Sequence, residues 1–425
     1  MLQTSSSIFL WILIAMVGYS LIKPWLSKDK SEIWSPITII ALCLIYYVIK
    51  PSFEGLSMYN AGNVPNQYMF YFSCDIFYGI ILFMFFKKKT YKPSFKRWND
   101  MFNETNVQRV AVILFIIAMV CYVPFRGFRT SISAEDATIT TARTGLVSYF
   151  IDLISLFVAA SCLTYVGYKN SKGFSVSKSM VVYAILYFTL VMFIVGGFRY
   201  RLVLLILALA TTYHLYPTPR KINYIVLIPV AVITYLGFAV MDSARSYGKG
   251  IDFDVAKTIS LADASKGAGE SNDVCCFSIA VVDEYSRNGG YCYFDAVTNA
   301  ILMPIPRAIF PWKPSGEYFM EAQRRVVGIS DYGAASIVVS EAYMMCGLIG
   351  VILYALFIGW HCRKIWDNYK FNSHSIGAIV LLALFNGFCY DWISRGYMGG
   401  VLNDYIYFIV LPFVIASFVL KHSKS

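Results

Sequence analysis

Charge is scarce in this chain: Asp, Glu, Lys and Arg make up 14% of its 425 residues, where a soluble domain normally carries about 25%. That shortage excludes a water-soluble globular protein. Histidine is scarcer still, with His214, His361, His374 and His422 the whole supply. The ten cysteines include no CxxC pair, and Cys43, Cys74, Cys121, Cys162, Cys346 and Cys389 lie inside apolar stretches. A zinc or thiol-redox centre built on closely spaced cysteines is therefore not expected. Cys275, Cys276 and Cys292 fall in a polar region, where Cys292 could bridge to one of the adjacent pair under oxidising conditions. No repeat period, heptad run or low-complexity tract is present. The first apolar block, Ile8 to Ile22, lacks a basic n-region and a small-residue cleavage pattern, so it reads as a retained helix.

What the chain has in abundance is apolar residues, 58% of the total. They come in blocks at 8–22, 34–49, 67–86, 110–125, 146–168, 179–198, 202–216, 223–241, 337–360, 375–394 and 399–420. Most approach the roughly 20 residues a bilayer crossing takes, and the shorter ones fit tilted or broken helices. The expectation is an all-α polytopic membrane protein with about 11 transmembrane helices. The formal charge of +11 does not form a nucleic-acid stripe; the basic residues sit mainly at block ends, where they set topology. Placing the most basic segment, Lys87 to Arg109, in the cytoplasm fixes the rest by alternation. The short cytoplasmic segments then hold 20 Lys and Arg against 7 on the other side. The amino terminus falls outside and the carboxyl terminus inside.

This topology divides the chain into helices 1–8 over 1–241, one large extracytoplasmic loop at 242–336, and helices 9–11 with a cytoplasmic tail over 337–425. A 95-residue loop is too long for a passive connector. It alternates amphipathic stretches (Val255–Ala264, Ser278–Arg287, Tyr293–Met303, Tyr318–Val327) with breakers such as Asn288-Gly289-Gly290, so several short helices capping the bundle are expected.

Some charges run against topology. Arg126, Arg129, Arg143, Arg199, Arg201 and Arg395 all lie in short outer loops. Arg199 and Arg201 occupy a tight turn between two apolar blocks, where charge is costly and usually paired. They fit either interfacial snorkelling or a guanidinium cluster for a phosphate or pyrophosphate, whose oxygens the planar fork matches. Arg126 and Arg129 form a similar pair. Asp75, Asp152, Asp391, Asp404 and Glu341 all fall toward the outer ends of their blocks, which points to a wet cavity open outward. Asp391 and Arg395, four apart, fit a simple salt bridge. With every histidine near the cytoplasmic face, outer-side chemistry would need a carboxylate base.

Within the loop, Ile305-Pro306-Arg307-Ala308-Ile309-Phe310-Pro311-Trp312-Lys313-Pro314 cannot form continuous helix. Its prolines hold Arg307, Trp312 and Lys313 in a stiff frame, suited to a lipid pyrophosphate and a sugar ring or, more simply, to an interfacial loop with a belt tryptophan. This segment resembles the Pro-Arg…Trp/Phe-Pro-x-Lys-Pro stretch of bacterial O-antigen and capsule repeat-unit polymerases, the Wzy class. Gly197-Phe198-Arg199-Tyr200-Arg201 resembles that family's Gly-x-Arg turn. Ser340-Glu341-Ala342-Tyr343, followed by Gly347-Leu348-Ile349-Gly350, resembles its Glu-x-Tyr…Gly-x-x-Gly helix start. The likeness spans roughly 190–400. It departs from the Arg-x10-Gly signature of some members, since no arginine here has glycine eleven residues on.

The resemblance implies a metal-independent membrane glycosyltransferase in the bacterial inner membrane, with no cofactor and no nucleic-acid partner. Its substrates would be undecaprenyl-pyrophosphate-linked oligosaccharides, and a chain-length regulator protein is a candidate partner. On that reading Arg199, Arg201, Arg307 and Lys313, with Arg324 and Arg325, would meet the pyrophosphate. Glu341 would be the base, ahead of Asp242 and Glu284. O-antigen ligases share the plan but usually present a histidine in the large outer loop, which this one lacks. A flippase or transporter would show paired repeats and charge along a full path.

Overall fold

The computed structural model describes residues 4–54, 66–87, 95–103, 106–131, 152–170, 185–190, 199–221, 225, 245–246, 250–251, 270–305, 309–314, 316–328 and 335–422. Among these the protein is helical apart from one antiparallel pairing of Arg245–Ser246 with Gly250–Ile251. Among the described residues, six helical segments are long and apolar enough to cross a membrane: Ile8–Leu26, Pro36–Phe53, Tyr68–Phe86, Leu348–Phe371, Ile376–Ser394 and Met398–Lys421. The expected blocks at 146–168, 179–198 and 223–241 lie partly or almost wholly outside the described residues, as does Val255–Ala264. The chain forms two compact units.

The first unit comprises Met1–Lys92, Gly269–Asp367 and Cys389–Asn403. It begins with α1 (Thr4–Leu26), α2 (Pro36–Leu44), a π turn (Ile45–Ile49), α3 (Lys50–Glu54) and α4 (Tyr68–Phe86). Phe9 of α1 packs edge-on against Tyr68 and Phe72 of α4, and Ser20 bonds Tyr78 between the same helices. The outward residues of α1 are apolar, including Trp11, Ile22 and Trp25, as a lipid-facing helix requires.

The second unit comprises Pro93–Ala268, Asn368–Phe388 and Asp404–Ser425. It contains α5 (Lys96–Asn99), α6 (Val107–Ser131), α7 (Leu156–Asn170) and α8 (Arg199–Leu215). Here α6 packs along α7, and α7 along α8. Polar pairs tie the apolar helices together: Asn99 and Asn368 exchange amide hydrogen bonds at 2.8 and 3.0 Å, and the Asn386 amide donates to Thr211 at 3.3 Å.

Three helices of the expected outer loop belong to the first unit: α9 (Glu270–Asn288), α10 (Asp295–Leu302) and α11 (Glu317–Val327). They coincide with three of the four amphipathic stretches. In α9, Ser271, Val274, Cys275, Ser278, Val282 and Tyr285 are buried at helical spacing, and the helix packs on α3, α4 and the Ile45–Ile49 turn. Cys275, Cys276 and Cys292 are unbridged. The breaker Gly289-Gly290 has positive φ at both glycines.

The chain then continues as α12 (Val338–Cys346), α13 (Leu348–Phe371), α14 (Ile376–Ser394), α15 (Met398–Tyr405), a second π turn (Ile406–Val410) and α16 (Leu411–His422). The apolar run expected at 337–360 is broken at Gly347, whose φ of 62° and ψ of −142° no helix accommodates. The span therefore starts at Leu348 and α12 stands outside it. Each π turn ends two residues before a proline, Pro51 or Pro412. A proline ring clashes with the carbonyl four residues back, and the wider π turn opens the helix there.

Candidate active site

Glu341, in the first turn of α12, is fully buried in the first unit. Its Oε1 accepts two hydrogen bonds, from the Tyr318 hydroxyl of α11 and from the Met398 N–H, both at 2.6 Å. Met398 is the first residue of α15, so the carboxylate satisfies one of that helix's open N-terminal donors and meets the positive end of its dipole. The other oxygen, Oε2, is buried with no hydrogen-bond partner among the described residues. Burial pushes the Glu341 carboxyl up from 4.5 to about 7, against the downward pull of the Met398 and Tyr318 bonds. The same burial, with the nearby Glu341 charge, raises Tyr318 far above the ordinary tyrosine range, so Tyr318 remains a donor.

Around this carboxylate runs a polar network. Tyr397 stacks on Tyr318 with ring centroids 6.1 Å apart and donates to Asn299 Oδ1 at 3.0 Å. The Asn299 amide donates to the Pro314 carbonyl at 3.2 Å, tying the proline-rich segment to α10. Ser278 of α9 accepts from the Ile337 N–H at 2.8 Å, which fixes the start of α12. Gly316, with φ of 81°, turns the chain into α11 where a Cβ would come within 2.6 Å of the Tyr397 hydroxyl. None of Tyr318, Tyr397, Asn299 or Gly316 stands out in a sequence that holds 32 tyrosines; only the fold shows that they meet one carboxylate.

The other expected residues distribute as follows. Lys313 turns its ammonium onto the carbonyls of Met303 (2.9 Å) and Ile305 (2.7 Å). Trp312 is exposed, its ring edge-on to Phe310. Arg324 pairs with Glu321 at 3.1 Å. Arg325 pairs with the same carboxylate at 3.2 Å, donates to the Gly289 carbonyl and covers the Tyr285 ring. Glu284, on the half-exposed side of α9, accepts from Asn288 at 2.9 Å. In the second unit, Arg201 is buried beside Asp152, 4.0 Å away, with its guanidinium over the Tyr200 ring. Arg199 is the first residue of α8, and Arg126 and Arg129 lie toward the end of α6; their side chains are outside the described residues. Asp242 and Arg307 also lie outside. Among the described residues no group of three or more His, Cys, Asp or Glu is placed to hold a metal ion.

A family model for the O-antigen polysaccharide polymerase Wzy matches residues 33–424. The chain belongs to the O-antigen polysaccharide polymerase Wzy family. No curated protein and no solved structure matches it significantly. Membership in the Wzy family makes the chain a multi-pass membrane protein and a glycosyltransferase-like polysaccharide polymerase acting on lipid-linked oligosaccharide. The matched stretch takes in α9–α12, the proline-rich segment and the whole network around Glu341. It also covers Arg199, Arg201 and Asp152.

Proposed function

We propose that the protein joins undecaprenyl-pyrophosphate-linked repeat units into O-antigen or capsular polysaccharide at the outer leaflet of the cytoplasmic membrane. The growing chain is the donor and the next lipid-linked repeat the acceptor. A hydroxyl oxygen of the acceptor's non-reducing sugar attacks the donor's anomeric carbon. The new C–O bond forms as the bond from that carbon to the pyrophosphate oxygen breaks, and undecaprenyl pyrophosphate leaves with the electron pair. The hydroxyl proton goes to a carboxylate, which we assign to Glu341.

One observation carries that assignment: Glu341 is buried, held at one oxygen by Tyr318 and Met398, with no hydrogen-bond partner at the other among the described residues. A base works best with a pKa near the working pH, and about 7 meets that condition. Glu284 accepts an exposed bond from Asn288, and Asp242 remains the further alternative. The departing pyrophosphate needs positive charge in the transition state. Arg199, Arg201 and Arg307 are the proposed sources, with Arg126, Arg129, Arg324 and Arg325 behind them. Arg325 sits seven residues beyond Tyr318, on the same face of α11. The step as written requires no metal ion. On this reading the amino terminus is periplasmic, the carboxyl terminus cytoplasmic, and a chain-length regulator the expected partner.

The test is glycan length in cells lacking the protein, complemented with wild type, Arg199→Ala or Arg307→Ala. Single repeats in the null strain and a restored ladder with wild type support the polymerase. Loss of the ladder with normally expressed arginine variants supports those residues. Unpolymerised repeats held facing the cytoplasm would favour a flippase, and long chains left on undecaprenyl pyrophosphate a ligase.

A further inference from the structure

Helix α10 turns small and amide side chains inward and leaves large apolar ones outside. Its buried positions are Ala296, Asn299 and Ala300, and the one polar side chain among them is engaged by Tyr397 and Pro314. Outward stand Phe294, 80% exposed, and Ile301, 61% exposed. Phe294 is the N-cap of the helix, and a helix in water keeps large apolar side chains such as these turned inward. Beyond its end, Lys313 bonds the carbonyls of Met303 and Ile305 and so holds the following segment against α10. That segment exposes Ile309 by 74% and Trp312 by 82%.

The turn that leads into α10 is tied to the start of a helix of spanning length. The N–H groups of Cys292 and Tyr293 donate to the carbonyls of Met344 and Met345 at 2.9 Å. Tyr293 therefore sits at the head of α13, a helix long and apolar enough to span, whose exposed stripe starts at Ile349 and runs through Leu353.

We propose that α10 and the Ile309–Trp312 segment lie in the interfacial layer of the bilayer, with phospholipid covering their apolar face. Eight residues of helix reach only about 12 Å, far short of the roughly 30 Å hydrocarbon core, so the element lies on the membrane and does not cross it. Asp295 and Thr298 share the exposed face and keep it at headgroup depth. Trp312 is the residue type that prefers that depth. Pro311 and Pro314 have no N–H to leave unmet, and Lys313 satisfies two carbonyls past the helix end. Trp312 thereby meets lipid headgroups in place of a sugar ring. The arrangement sets the Glu341 network at the depth of a lipid-linked pyrophosphate; that consequence rests on the polymerase reading, whereas the interfacial placement does not.

The test uses the full chain in phospholipid nanodiscs, with p-benzoylphenylalanine installed at position 294, 301 or 312, and at 324 on charged α11 as control. After irradiation, intact mass reports adducts. The proposal expects phospholipid adducts at 294, 301 and 312, at least several-fold above position 324. Equal yields at all four positions, or crosslinks joining two copies of the chain in place of lipid, would overturn it.

Discussion

Glu341 concentrates its bonds on one buried oxygen, with no partner at the other among the described residues, and pH should reveal this. In a nanodisc assay with lipid-linked repeats, the rate should rise with pH through about 7 as the carboxyl loses its proton. Tyr318→Phe removes a bond that favours the carboxylate, so the acid limb of that profile should move upward. A purely structural Tyr318 would change the amplitude and leave the limb in place. Cys292, pushed by burial up to about 12, stays neutral throughout. Stability should run the other way. A carboxyl whose folded pKa is raised binds its proton more tightly in the native state, so its contribution is full below 4.5 and fades as pH rises through about 7. Glu341→Gln should flatten that slope in thermal unfolding followed by tryptophan fluorescence. Gly316→Ala forces a Cβ into left-handed backbone and onto the Tyr397 hydroxyl. It should cost about 1–3 kcal/mol from backbone strain alone, read as a lowered Tm. The sequence offered Glu341 as one of five carboxylates toward the outer ends of apolar blocks, and its resemblance to the Glu-x-Tyr helix start put it first. It could not mark Tyr318, Tyr397 or Asn299, whose roles depend on contacts between positions 23 to 98 residues apart.

At the scale of helices, hydropathy located α1, α4 and α14 closely, and amphipathic spacing located α9, α10 and α11. It missed the break at Gly347, because the residues on either side, Met344-Met345-Cys346 and Leu348-Ile349, are as apolar as any span. Backbone geometry ends α12 there, and an apolar run carries no sign of it. Gly347→Ala should strain the junction by about 1–3 kcal/mol and crowd the Tyr291 hydroxyl, 3.2 Å from the new Cβ. The expected readout is a lower Tm together with a slower polymerisation rate, since α12 carries Glu341. Lys313→Met should leave the half-buried Met303 and Ile305 carbonyls without the ammonium they now share. Faster hydrogen exchange across 293–305 would show it. Packing of α9 against α3 and α4 was likewise beyond the sequence, which gave its buried stripe but not its neighbours.

For the whole molecule, composition alone declared a membrane protein, and ordered weak motifs pointed to the Wzy family that residues 33–424 match. The orientation rests on charge bias: reporter fusions after residue 92 and residue 421 should read as cytoplasmic, and one in the 252–269 segment as periplasmic. The arginines are the least legible part, because guanidinium groups serve anchoring, pairing and anion binding with the same sequence signature. Arg201 beside Asp152 and Arg325 on Glu321 both show the pairing use. The most direct test of the account is polymerisation by the purified full chain in nanodiscs supplied with undecaprenyl-pyrophosphate-linked repeats, wild type beside Glu341→Gln. Wild type should give a ladder of joined repeats and released undecaprenyl pyrophosphate, and a Glu341→Gln protein that still folds should run at least 100-fold slower, on the order of a lost general base. A folded Glu341→Gln protein that extends the ladder at the wild-type rate would contradict it.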